Sequence, residues 1–168
     1  MIHHFQRPRK LGPEERMGRF SCGVPFIDKW SAQRAPSSAQ HGTAVAYVSF
    51  TASGEPAGFC TLSAYSVQRS TVSAGWLKRN TPEIIPSILI GMLGVDCHFQ
   101  GEGLGWMLLQ DAIMRARSVS GALGSRALIA EPYDDKARAF YAHFGFNRFP
   151  EPPACISGSF DDEPVPYL

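Results

Sequence analysis

The residues Val95-Asp96-Cys97-His98-Phe99-Gln100-Gly101-Glu102-Gly103-Leu104-Gly105 carry an apolar strand through a glycine-rich turn into a helix. Glycines allow a tight turn with several N–H groups pointing inward, and the helix N-terminus adds its partial positive charge. Such a turn binds a pyrophosphate without any basic side chain. Two other phosphate cradles are excluded. A Walker loop requires Gly-Lys-Ser/Thr after its spacing and no Lys follows; a dinucleotide fingerprint counted from Gly101 requires Gly or Ala where Trp106 stands. Asp96, His98 and Glu102 lie beside the cradle as candidate bases, each read more readily as a turn or helix-start residue. The cysteines Cys22, Cys60, Cys97 and Cys155 are widely spaced and form no CxxC pair. That disfavours zinc and a disulfide framework, and leaves reduced thiols that serve mostly as small core residues.

The elements that must hold the cradle follow from periodicity and punctuation. A short strand is expected near Ile2 to Arg7, and Phe26, Ile27 and Trp30 mark an amphipathic helix over Val24 to Ala35 that stops before Pro36. Gly42 to Phe50 is rich in β-branched and aromatic residues, and Ser53-Gly54-Glu55 turns it into AGFCTLSAY, a β-hairpin. Residues 66 to 82 read as polar and irregular. A strand over Ser87 to Asp96 is apolar enough for burial on both faces, and Gly91 and Gly94 within it suggest a bulge or a close approach by something bound. Beyond the cradle come a helix ending near Ser118, a strand over Arg126 to Ala130 and a helix over Asp134 to His143. This strand-helix-strand-helix series implies an α/β fold with parallel pairing at its centre. The final SGSFDDEPVPYL reads as an acidic tail or a late edge strand, which gives one domain over residues 1–156 and a tail over 157–168.

Gln100, Gly103 and Gly105 match the Gln/Arg-x-x-Gly-x-Gly/Ala signature for acetyl-CoA, and ARAFYAHFGF at Ala137 to Phe146 matches a helix carrying Phe-Tyr before a Gly-Phe strand start. By these two motifs the chain resembles the GNAT N-acetyltransferases. FSCGVPFIDKW at Phe20 to Trp30 and IGMLGVD at Ile90 to Asp96 resemble, more narrowly, the GNAT toxins of type II toxin-antitoxin modules, which acetylate aminoacyl-tRNA. Met92, where an Arg is common in that group, and Glu131-Pro132 depart from its pattern.

The resemblance implies a mixed central sheet with helices on both faces, and acetyl-CoA bound where the central parallel strands splay. The cofactor-binding residues it implies are Leu93, Val95, Gln100, Gly101, Gly103, Leu104, Gly105 and Phe140, with Tyr141 as the acid that meets the departing thiol and no metal. No enzyme nucleophile is needed, because a neutral amine attacks the thioester directly. A free α-amino group titrates near 8 and its ester lower still, whereas a lysine near 10.4 would need a base, so the lack of an evident base favours an aminoacyl ester as acceptor. The resemblance further implies a homodimer and a small antitoxin of the ribbon-helix-helix kind. An acetyltransferase of a small amine or a protein N-terminus, and a non-catalytic CoA- or antitoxin-binding regulator, are the alternative readings.

Composition bounds these readings. The 168 residues suffice for one domain with a real core, and the formal charge of +1 excludes a uniformly basic surface. That neutrality is an average: residues 1–126 hold 13 Lys+Arg against 8 Asp+Glu, and residues 127–168 hold 3 against 7. The clusters Arg7/Arg9/Lys10, Lys78/Arg79 and Arg115/Arg117 are candidate RNA contacts, since the arginine-rich set suits bidentate phosphate contact. No apolar run is long enough to span a membrane and no h-region follows the basic N-terminus, so a cytoplasmic protein is expected.

Overall fold

The computed structural model describes residues 4–72, 75–148 and 156–159. The chain divides into two compact units, Met1–Ser63 with Gly91–Met114, and Ala64–Ile90 with Arg115–Leu168.

The first unit is built on a meander. β1 (Arg9–Lys10) pairs antiparallel with β2 (Val45–Phe50), and β2 with β3 (Pro56–Gln68) in the register Val45↔Leu62 through Ser49↔Gly58. Alternation along β2 sends Ala46, Val48 and Phe50 into a core with Leu11, Met17, Phe20, Ile27, Ala35 and Phe59. Within that core the Trp30 ring stacks on Phe59 at 6.0 Å, and Phe20 meets Phe59 edge-on at 5.3 Å. The N-terminal strand falls later than expected, because Phe5 makes only a single bridge to Thr51 before β1 begins at Arg9. The helix α1 (Pro25–Gln33) does not end the helical segment, since α2 (Ala35–Ser38) follows it at once. Pro36 stands in the first turn of α2, where a missing N–H leaves no helical bond unmade.

β4 (Ile84–Val95) contributes Ile84–Ile90 to the second unit, where it pairs parallel with β5 (Ala127–Ala130), from Ser87↔Ala127 to Ile90↔Ala130. Every residue of β5 is buried, as a strand covered on both faces requires. β4 starts before Pro86 rather than after it, and Pro86 precedes the first residue paired to β5. Within the stretch read as irregular, β3 continues to Gln68, a 3-10 turn spans Arg69–Thr71, and α3 covers Gly75–Lys78. Val72, Leu77, Ile85, Ala127 and Ile129 form the core of this unit, with Tyr65, Val67 and Leu89 packed against it. α4 (Leu104–Leu123) runs past Ser118, tolerating Gly121, and ends at Gly124 with φ +78°.

α5 (Asp135–His143) begins where Asp134 Oδ1 accepts the Ala137 N–H at 2.8 Å. It ends in a Schellman turn: Gly145 has φ +88°, its N–H reaches the Ala142 carbonyl, and the Phe146 N–H reaches that of Tyr141. Ile156–Ser159, expected as tail or edge, is an inner strand β7, paired antiparallel with both β5 and β6 (Asn147–Arg148). Residues 160–168 of the expected tail lie outside the described residues. No helix among the described residues is long and apolar enough to cross a membrane.

Candidate active site

In the first unit the turn after β4 is locked from below by one buried carboxylate. Asp96 is 5% exposed; its Oδ2 accepts the Ser21 N–H at 2.9 Å, and its Oδ1 faces the His98 N–H at 2.9 Å and His98 Nδ1 at 2.7 Å. Burial pushes its pKa up, but the N–H groups of Ser21 and His98 outweigh it and hold the carboxyl below its ordinary range. Asp96 is thereby a structural clamp rather than a base in reserve. Gln100 turns its amide nitrogen onto the carbonyls of Val95 at 3.0 Å and Cys22 at 3.1 Å, tying the turn to the strand end and to the segment before α1.

Above this lock the cradle is open. Gly101 and Gly103 hold φ of +80° and +82°, and a Cβ on either would meet nothing within 4 Å. Their conformation, not crowding, requires glycine, and the space beside them is free for a ligand's phosphates. The Met107 N–H bonds the Gly103 carbonyl at 3.2 Å, so the N–H groups of Leu104, Gly105 and Trp106 precede the helical ladder and lie at its positive end. Leu104 itself is 2% exposed; its side chain belongs to the core and only its N–H can serve the cradle.

Gly91 and Gly94 serve the protein's own packing. A Cβ on Gly91 would stand 3.1 Å from Thr61 Oγ1, and one on Gly94 would stand 3.3 Å from Ile27 Cγ2 and 3.4 Å from Cys22 Sγ. That packing accounts for glycine at both positions. Thr61 Oγ1 also accepts the Met92 N–H at 2.9 Å, a partner the sequence pattern does not disclose. Leu93 and Val95, the residues expected to offer N–H groups to the donor, are half-buried on β4.

In the second unit Tyr141 is buried on α5 in an aromatic group, 5.4 Å from Phe140 and 5.3 Å from Phe146 between ring centres; Phe140 also meets Phe144 at 5.0 Å. Glu131, directly after β5, accepts a hydrogen bond from the Tyr65 hydroxyl at 3.0 Å. The thiols are poor nucleophiles where they are buried: burial drives Cys22 to about 11 and pushes Cys60 up as well. Among the described residues no group of His, Cys, Asp and Glu is arranged to hold a metal.

The candidate RNA contacts separate. Arg9 is engaged by Glu15 in a bidentate pair, Nη2 to Oε1 at 2.7 Å and Nη1 to Oε2 at 2.8 Å, and lies 4.3 Å over the Phe50 ring. The guanidinium and the Gly12 N–H hold Glu15 down to about 2, and Arg9, although exposed, is already ion-paired within the chain. Arg7, Lys10, Arg79 and Arg117 are exposed, while Lys78 and Arg115 are half-buried.

A phosphate cradle after a strand, with β4 running on to Val95 beyond its last pairing with β5 at Ile90↔Ala130, is the architecture of an acyl-CoA-dependent transferase. The chain belongs to the acetyltransferase (GNAT) family, whose model matches residues 14–146, and it is an N-acetyltransferase. It is 35% identical over 149 residues, 89% of each chain, to a tRNA-acetylating toxin of Mycobacterium tuberculosis (strain ATCC 25618 / H37Rv). Among solved structures it resembles a bacterial toxin with TM-score 0.86 at 25% identity, over 94% of this chain and 92% of that one. It also resembles AtaT complexed with acetyl-methionyl-tRNAfMet, with TM-score 0.83 at 22% identity, over 93% and 95% of the two chains. The same fold recurs in AtaTR bound with AcCoA, with TM-score 0.80 at 22% identity, over 95% of each chain.

Proposed function

We propose that the protein is the toxin of a toxin-antitoxin module, acetylating the α-amino group of aminoacyl-tRNA and so blocking translation. The observation that carries this reading is the 35% identity, along 89% of both chains, to a tRNA-acetylating toxin. Residues 1–156 act as one catalytic domain in the cytoplasm, as a homodimer silenced by a small ribbon-helix-helix antitoxin.

In this reading the cradle N–H groups at Gly101, Gly103, Leu104 and Gly105 take the pyrophosphate, and Gln100 keeps the turn in shape. Acetyl-CoA supplies the acetyl thioester. The N–H groups of Leu93 and Val95 face the pantetheine arm and the thioester oxygen as it gains charge; one such donor is worth about 3 kcal/mol. Tyr141 donates its proton to sulfur. A tyrosine near 10 and a thiol near 8.5 make full transfer uphill by roughly 2 kcal/mol, so the proton moves in concert with C–S cleavage. Phe140 walls the pantetheine side, and the exposed cations Arg7, Lys10, Arg79 and Arg117, with Lys78 and Arg115, contact the tRNA backbone.

The test is incubation with labelled acetyl-CoA and bulk aminoacyl-tRNA. Label released as N-acetyl amino acid by mild alkaline hydrolysis supports the reading; label found only in polyamines or peptides overturns it.

A further inference from the structure

Below its own titration the acceptor amine is an ammonium, and one carboxylate is set to meet it in that form. β5 has Ala127 and Ile129 in the core that packs Tyr65, and alternation places Glu131, the next residue but one, on the same side of the strand. Glu131 is the first residue beyond β5, at the carboxyl end of a parallel strand, where open α/β sheets bind their ligands. The Tyr65 ring is packed against the core and its hydroxyl holds the Glu131 carboxylate at 3.0 Å, so an exposed acid has a fixed orientation. Among the described residues its one partner is that hydroxyl and no cation pairs with it, which leaves its remaining lone pairs to solvent or substrate. The next acids along the chain are otherwise arranged, Asp134 capping α5 and Asp135 paired with Arg138.

We propose that Glu131, oriented by Tyr65, is the acceptor-side carboxylate of this acetyltransferase: it binds the α-ammonium of the aminoacyl ester and takes a proton from it. The inference rests on the aminoacyl-tRNA reading above. The ammonium gives one proton to Glu131 and becomes a neutral amine. Its nitrogen then forms the bond to the acetyl carbon as the C–S bond breaks, and Tyr141 protonates the departing sulfur. The proton lost by nitrogen as the amide forms returns through water to Tyr141, and Glu131 releases its own to solvent.

The experiment is a profile of kcat/KM for aminoacyl-tRNA against pH, from 6 to 8.5, for the wild type, Glu131→Gln, Glu131→Asp and Tyr65→Phe, with acetyl-CoA affinity and Tm measured on each. Glu131→Gln is expected to lose about 10²-fold at pH 6, the size of one general base. The deficit shrinks as the amine's own titration, near 8 or below, supplies the neutral form. Glu131→Asp restores part of the loss, Tyr65→Phe shows a smaller deficit of the same shape, and acetyl-CoA affinity is unchanged in all. A deficit that is absent, or equal at every pH, overturns the assignment. If the wild type acetylates some other amine and not the aminoacyl ester, the functional reading fails separately, and the same variants on that amine still decide the role of Glu131.

Discussion

Tyr141 and Asp96 are both buried and both polar, yet the sequence discloses their work unequally. Tyr141 is legible because it sits inside a motif, and its buried aromatic surroundings explain why Phe is a clean replacement. Tyr141→Phe keeps the ring and removes the hydroxyl proposed as the proton donor. Acetyl transfer is expected to fall by about 10²–10⁴ while acetyl-CoA binding, followed by calorimetry, stays within a few-fold. Asp96 reads equally as a base or a turn residue until its partner Ser21 is known, and nothing in the spacing of residues 75 positions apart announces that bond. Asp96→Ala leaves the half-buried hydrogen bonds of the Ser21 and His98 N–H groups unmade, and should cost about 1–2 kcal/mol in urea unfolding. The sign with pH follows from its depressed pKa. The stability it contributes is present above the ordinary carboxylate value and is lost as pH falls through its lower folded value. Asp96→Asn should therefore unfold with a shallower acid dependence than the wild type.

At the scale of elements, motifs with local causes were readable and those with distant causes were not. The start of α5 at Asp134 and its end at Gly145 follow from a cap and a left-handed glycine, both written in the local sequence. The passage from α1 into α2 through Pro36, the length of β3 and the inner place of β7 depend on partners far along the chain. The seat of α4 is of this second kind. A Cβ on Gly58 of β3 would stand 2.9 Å from Leu108 Cδ1, 3.1 Å from Leu104 Cδ2 and 3.1 Å from the Gly94 carbonyl oxygen. Two of those atoms belong to the first turns of the helix whose N-terminus forms the cradle, and the third is backbone. Gly58→Ala is expected to cost about 1–3 kcal/mol through overpacking and to weaken acetyl-CoA binding by moving that N-terminus. Gly103→Ala meets no atom but forces a side chain into the left-handed region, costing about 1 kcal/mol. Its signature is the opposite one: a small change in Tm with a large change in acetyl-CoA Kd. Equal losses of both quantities in the two variants would contradict this division.

For the whole molecule, a net charge of +1 conceals an uneven distribution, and the structure narrows which charges remain available to an RNA. Arg9 is paired with Glu15, an exposed ion pair whose contribution to stability is under about 1 kcal/mol but which neutralises that cation in the free protein. Arg7, Lys10, Arg79 and Arg117 remain exposed, with Lys78 and Arg115 half-buried. If about five of these meet phosphates, the logarithm of affinity falls with the logarithm of salt at a slope near −4 to −5. A fourfold rise in salt then weakens tRNA binding by about 10²–10³. Filter binding across 50 to 200 mM salt measures this directly. Removing Arg7 and Lys10 together should reduce the slope by about two, one for each phosphate that no longer meets a cation. Arg9→Ala should leave it unchanged, since that cation is already paired. A slope that drops as much for Arg9→Ala as for Arg7→Ala would mean that the tRNA displaces Glu15. Arg9 would then return to the RNA-binding set from which its ion pair removes it.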